Sequence, residues 1–365
     1  MRKSLALAMV LALSGIGSSS ILLNQTQVQA QGGKLDWPSQ VLHHQTPGAV
    51  EPPVVTQLAV HPAGNRAAIV GDDHIVRLVN LDSGRREKTL QGHSDWIRAA
   101  EFTPDGTKLI TAGVDHKIIS WNPETGEGDS FAVAPSSIEG ISISPDGTLL
   151  AVVGFDAQLR LYRLHDQKLV ASFTCPCSDM RCVQFSPSGN TLVAGGRSGK
   201  LRIWSRDGAK WLAGSRDIPA HRQRIRSVDF LDETTIVSCS EDRTIQKTDV
   251  ATMAATKLAE TDGRKFDIAV IEGRSIACCG STNQIELFDI RSGQSLGHLE
   301  GHKGTVSCIE YHDGKLISGS YDTEARVWKM TQEVSLPASQ PDHTASLELP
   351  AIQPSGTLSP PPTLK

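Results

Sequence analysis

Through the middle of the chain, apolar and polar residues alternate in short runs such as "LAVHPAG", "AEFTPDG", "ISISPDG", "VQFSPSG" and "IEYHDGK". A period of two places the apolar side chains on one face of a strand. Pro-Asp-Gly closes such a run, because Pro presets φ and Gly accepts positive φ. Each run is followed by two further short strands about a tight turn. These read "VGDDHIVRLVN", "AGVDHKIISWN", "VGFDAQLRLYR", "GGRSGKLRIWS", "CSEDRTIQKTD", "CGSTNQIELFD" and "GSYDTEARVWK".

The turn falls at Asp73, Asp115, Asp156, Ser198, Asp242, Thr282 and Asp322, in steps of 42, 41, 42, 44, 40 and 40 residues. Spacing this regular marks a repeated unit of four short strands, and a single four-stranded sheet cannot bury both of its faces. Stacked radially, such sheets bury one another and form a closed ring with only short exposed edges. The sequence therefore predicts an all-β fold, a seven-bladed β-propeller of four-stranded antiparallel blades. We number the blades 1 to 7 by their turn residues.

Blade 2 contains Gly92, His93, Thr111, Asp115 and Trp121, and blade 7 contains Gly301, His302, Ser318, Asp322 and Trp328. A Gly-His pair, a second-strand hydroxyl, a turn Asp and a Trp closing the third strand resemble the WD-repeat family over roughly Val41 to Lys329. Blade 5 keeps His221, Ser238 and Asp242 but has Thr248 at the tryptophan position; blade 4 keeps Trp204 with Ser198 in the turn; blade 3 has Tyr162 and no histidine. The resemblance implies that His, Asp, hydroxyl and Trp form a structural hydrogen-bond chain inside the blade. His, Asp and Ser are also the residue types of a hydrolytic triad. Their recurrence at one template slot favours a folding device.

The resemblance also implies a partner-docking face, made by the loop leading into each first strand and by the residue just before each turn. Those slots hold Trp96, Arg98, Glu139, Arg181, Arg224, Arg226, Lys265 and Asp267, and Val114, Phe155, Arg197, Glu241 and Tyr321. Arginine forks suit carboxylates and exposed aromatics suit anchoring. The expected partner is thus an acidic protein segment over Trp96, Arg98, Phe155, Arg181, Arg197, Arg224, Arg226 and Tyr321.

The ends read differently. Arg2 and Lys3, the apolar "LALAMVLALSGIG" and "VQA" ending at Ala30 have the order of a secretory signal peptide over residues 1–30. The alternative, an uncleaved anchor over Leu5 to Leu23, is diluted by Ser and Gly. With no cysteine before Cys175, no lipid-modified cysteine follows cleavage, and a periplasmic or secreted chain with no membrane insertion is expected. Residues 31–53 form an N-terminal segment in which "SQVLHH", Ser39 to His44, matches the strand preceding Gly-His in other copies. It is expected to close the ring by joining blade 7, with His44 in blade 1's histidine slot. The propeller spans 54–330. Residues 331–365 hold seven of the 19 prolines and read as a solvated flexible tail.

Seven cysteines, an odd number, do not complete an internal disulfide framework. Cys182, Cys239, Cys278, Cys279 and Cys308 sit among apolar strand residues and read as buried small hydrophobes, while "FTCPCSDMRC" leaves a short-range bond open for Cys175 and Cys177, with Cys182 as a further partner. With 36 Lys+Arg against 40 Asp+Glu, the chain lacks the basic field that nucleic acid requires. No metal-ligand spacing, nucleophile elbow or phosphate loop is present, so no metal, cofactor or catalytic residue is expected. The sequence reads as a non-catalytic protein-interaction scaffold. Two alternatives remain: an envelope-assembly factor binding extended chains at blade edges, and a propeller enzyme or ligand binder using the central channel.

Overall fold

A computed structural model describes residues 32–45, 52–175, 179–208, 210–212 and 214–330. The signal segment 1–30, the tail 331–365, Cys177 and most of "QTPGAVEPP" lie outside the described residues. Within them the chain forms seven antiparallel sheets and no helix; six sheets have four strands, and that of blade 4 has the four-stranded core plus a short fifth strand, Lys210–Trp211. The first strands, Val55–Val60, Ile97–Phe102, Ile138–Ile143, Met180–Phe185, Ile225–Phe230, Lys265–Ile271 and Val306–His312, lie side by side around a central bore, the last against the first.

Seven apolar clusters fill the seven gaps between neighbouring blades. Between blades 2 and 3, for example, Ile110, Ile118 and Phe131 meet Ile141, Leu150 and Tyr162. The alternation explains this: both faces of each sheet are covered, so successive side chains enter opposite gaps. Cys278 and Cys279 point this out, one packed toward blade 5 and the other toward blade 7.

Every first strand carries a register shift at its second residue, where a bulge adds one residue against its neighbour. A bulge twists the strand and re-aims the extra side chain. The residues so placed are Thr56, Arg98, Glu139, Arg181, Arg226, Phe266 and Ser307, and all seven line the bore. The bulge needs room opposite it. A Cβ on Gly113 would stand 2.2 Å from Trp96 O, and one on Gly196 2.0 Å from Asp179 O, which is why glycine ends the second strand there.

The N-terminal segment fastens the ring. Leu35 N donates to His298 O and His298 N to Gly33 O along the outer edge of blade 6. Trp37 is then buried between blades 6 and 7, and Ser39–Leu42 pairs antiparallel with Ala325–Lys329 as the fourth strand of blade 7. His43 bridges to Arg85 in blade 1. His44 is buried beside blade 1, but its ring meets Leu42 O at 3.2 Å and makes no hydrogen bond to the turn carboxylate Asp73, which Arg77 holds instead. Burial lowers the His44 pKa to about 4, keeping the ring neutral.

Candidate functional site

The repeat's polar residues assemble into two different things, an internal lock and an exposed face. In blade 2, His93 Nδ1 donates to Asp115 Oδ2 at 2.9 Å, Thr111 Oγ1 lies 2.8 Å from His93 Nε2, and Trp121 Nε1 donates to Thr111 Oγ1 at 2.8 Å. Burial lowers the pKa of His93 against the pull of Asp115. A neutral ring protonated on Nδ1 satisfies every member of the chain. Blade 7 repeats it with His302–Asp322 at 3.0 Å, His302–Ser318 at 2.8 Å and Trp328–Ser318 at 2.8 Å.

The turn carboxylate also accepts backbone N–H groups, Ser94 in blade 2 and Lys303 in blade 7. Burial alone would raise the pKa of Asp322, but the hydrogen bonds from His302 and Lys303 N–H outweigh it and hold the carboxyl well below its usual range. Asp242 in blade 5 is held down likewise by His221 and Arg222 N–H. No nucleophile emerges from this geometry, since Ser318 is fully buried and its oxygen accepts from Trp328. His302 and Asp322 also lie close to Glu324, a group with the donor types of a metal site. The first two are committed to the lock and Glu324 binds Arg326 at 2.7 Å.

The face is built by one repeated bond. The residue before the turn donates its N–H to the carbonyl that precedes the first strand: Val114 to Trp96, Phe155 to Ser137, Arg197 to Asp179, Glu241 to Arg224 and Tyr321 to Thr305. This stitches the two sets of loop positions into one surface around the mouth of the bore. Trp96, Phe155 and Tyr321 stand 39%, 41% and 43% exposed on it. Arg98 lies over the Trp96 ring at 4.8 Å, Arg181 over Phe155 at 4.5 Å and Arg226 over Phe266 at 5.2 Å.

The charges form an alternating chain across blades 2 to 5. Arg98 faces Glu139 at 4.0 Å; Glu139 binds Arg181 at 2.7 Å; Arg181 binds Asp179 at 2.6 Å; Asp179 binds Arg224 at 3.0 Å; Arg224 binds Glu241 at 3.2 Å; and Glu241 faces Arg226 at 3.8 Å. The sequence gives no sign of this pairing, and it divides the arginines. Arg181 and Arg224 are committed to neighbouring carboxylates, while Arg98 and Arg226 end the chain on long contacts; Nε of Arg98, Arg224 and Arg226 is buried with no acceptor among the described residues. Arg197 is exposed, and no ion pair to it forms among the described residues. Lys265 and Asp267 do not reach the face. Lys265 is fully buried on Glu286 at 2.5 Å, and Asp267 faces the bore.

Residues 54–328 match the family model described as the IFT122 first beta-propeller. The chain belongs to this WD-repeat propeller family. Eukaryotic translation initiation factor 3 subunit I of Danio rerio is 22% identical over 302 residues, covering 75% of this chain and 92% of that protein, and the Homo sapiens protein aligns with the same figures. Apoptotic protease-activating factor 1 of Rattus norvegicus is 20% identical over 322 residues, 74% of this chain and 25% of its own length.

Two features of this WD-repeat propeller escaped the sequence reading. In the blades without the histidine, the third strand supplies another partner: Arg77 grips Asp73, Arg160 grips Asp156 at 2.6 and 3.1 Å, and Arg202 reaches Asp217 on the outer strand at 3.2 Å. The signal was present as Asp-x-x-x-Arg in "DHIVR" and "DAQLR". The bore itself, a cavity of about 450 Å³, is lined by four carboxylates that staple one blade to the next at four of the seven junctions. Glu101 accepts from Ile143 N at 3.1 Å, Asp229 from Val270 N at 3.3 Å, Asp267 from Ile309 N at 3.0 Å and Glu310 from Val60 N at 2.9 Å. Enclosure by the ring raises Glu101 and Glu310 to about 8 and Asp229 and Asp267 to about 6. An acidic residue inside an otherwise apolar strand, as in "AAEF" and "CIEY", was the available clue.

Proposed function

We propose that this WD-repeat propeller is a non-catalytic scaffold that holds an acidic segment of a partner protein over the mouth of its bore. The observation carrying this reading is the unfinished charge chain. The Arg98 and Arg226 side chains are 24% and 26% exposed and reach a carboxylate only at 4.0 and 3.8 Å, and Arg98 lies over the exposed Trp96 ring while Phe155 and Tyr321 are exposed elsewhere on the same face. A carboxylate at either end would complete the alternation, and the rings would anchor the flanking residues. The relatives named as a subunit of a translation factor are in keeping with a propeller that works by association. The site of action we infer is outside the cytoplasm, from Arg2, Lys3, the apolar run and Val28-Gln29-Ala30.

Capture from envelope extract, read by mass spectrometry at low and high salt, tests the surface. Arg98→Glu with Arg226→Glu is expected to abolish capture, whereas Trp96→Ala weakens it. Equal capture by the doubly reversed variant, with an unchanged melting curve, would remove this face. N-terminal sequencing tests export separately: a chain starting at Gln31 is expected, and one starting at Met1 and retained in the membrane contradicts it.

A further inference from the structure

A second surface lies at the other end of the strands, away from the turn aspartates. Blade 4 has the longest spacing to its successor, and the extra residues form a hairpin, with Lys200–Asp207 extended and paired to Lys210–Trp211. This hairpin stands beside the outer strand of blade 3, Leu169–Thr174, and encloses a groove of about 570 Å³. Val170, Phe173 and Trp211 give it apolar walls, with Trp211 held edge-on to Phe185 at 6.0 Å. Arg206 and Lys210 line it against one carboxylate, Asp207, while Arg163 at its edge is paired with Asp166 at 3.2 Å, so its positive charge rests on Arg206 and Lys210.

The strand beside it is unprotected. Outer strands expose unpaired backbone groups, and proteins blunt them with charges, proline or a covering segment. Blade 1 uses Arg86, Glu87 and Lys88, blade 2 uses Asp129, blade 4 uses Pro219, blade 5 uses Lys257 and Glu260, and blade 6 is covered by Gly33–Leu35. Leu169–Thr174 has none of these among the described residues, and Leu169 and Val170 are 52% and 41% exposed. Blade 6 shows that an outer edge of this ring accepts an extended chain.

We propose that the groove between blades 3 and 4 docks an extended segment of a partner protein in which acidic and aliphatic residues alternate, laid as a fifth strand along Leu169–Thr174. The period of two would send the aliphatic residues against Val170 and Trp211, and carboxylates on the segment would meet Lys210 and Arg206. This site is separate from the mouth of the bore and does not rest on the reading given for that face.

Fluorescence anisotropy of the full chain with a labelled octapeptide alternating glutamate and leucine tests it, against the same peptide with lysine for glutamate. The acidic peptide is expected to bind, and Lys210→Glu to weaken it about tenfold or more. Trp211→Ala is expected to act likewise, and Arg98→Glu to have no effect. Lys210 is exposed, so its reversal keeps the native melting transition and remains informative if Trp211→Ala does not fold. No binding, equal binding of the lysine peptide, or binding unchanged by Lys210→Glu overturns the proposal. So does binding that appears only after residues 331–365 are removed, which would make the tail the occupant, or only on dilution of a dimer, which would make it a second copy.

Discussion

At the scale of single residues, the histidine lock shows how a buried polar group becomes an asset when its last partner is present and a cost when it is missing. In blades 2 and 7 the second-strand hydroxyl takes both the imidazole and the indole. In blade 5 His221 still bridges Asp242 at 3.1 Å and Ser238 at 2.9 Å, but Thr248 fills the tryptophan slot and its hydroxyl is buried with no hydrogen-bond partner among the described residues. Replacing an unsatisfied hydroxyl by a methyl of the same shape removes a desolvation cost of about 1 kcal/mol. Thr248→Val is therefore expected to raise the melting temperature by a few degrees, as calorimetry would show; a fall would mean that the hydroxyl has a partner. The thiols obey the same logic without polar partners, since burial drives the pKa of Cys278 up to about 12 and leaves little thiolate to react.

At the scale of the blade, two solutions to one problem coexist. The turn carboxylate must be held, and either a histidine from the preceding loop or an arginine four residues on does it. Asp322→Ala should cost about 1–3 kcal/mol, because it strands the Nδ1–H of His302 and the N–H of Lys303. Asp156→Ala strands the Arg160 guanidinium, whose side chain is 13% exposed, and the double variant Asp156→Ala/Arg160→Met should recover part of that loss. Urea melts of the single and double variants decide it; a double variant less stable than Asp156→Ala would show that Arg160 is held by something else. The strands, the turns and the histidine chain were legible because they repeat, so one copy explains another. The Arg–Asp grips were less so, because they appear in blades that depart from the pattern. The pairing of Arg181 with Glu139 was not legible, because those residues meet only when blades 3 and 4 stand side by side.

At the scale of the ring, closure depends on contacts that no single blade contains: the N-terminal strand on blade 7 and the carboxylate staples in the bore. The staples make stability depend on pH. Glu101, Glu310, Asp229 and Asp267 all have folded values above their ordinary ones, so the folded state binds protons more tightly than the unfolded chain. Their contribution is complete below about 4 and is lost as pH rises through about 6 and then about 8. Asp242 and Asp322 act oppositely, being depressed, and their contribution is lost as pH falls below the ordinary carboxylate range. The melting temperature should fall between pH 6 and pH 8.5, and Glu101→Gln with Glu310→Gln, which keep an acceptor for Ile143 N and Val60 N, should flatten that slope. A melting temperature that climbs over the same interval in the wild-type chain would contradict the enclosure of these carboxylates.

All of this serves to hold one rigid face, where seven bulges aim seven side chains at the mouth of a bore and the loops beside them expose Trp96, Phe155 and Tyr321. We propose that a partner sits there. Hydrogen–deuterium exchange of the full chain, alone and with its captured partner, tests this. Slowed exchange is expected in the segments around Trp96–Arg98, Phe155, Arg226 and Tyr321, with the outer strands of blades 1, 2 and 5 unchanged. Protection confined to outer strands, with these mouth segments exchanging as they do in the free chain, would contradict it.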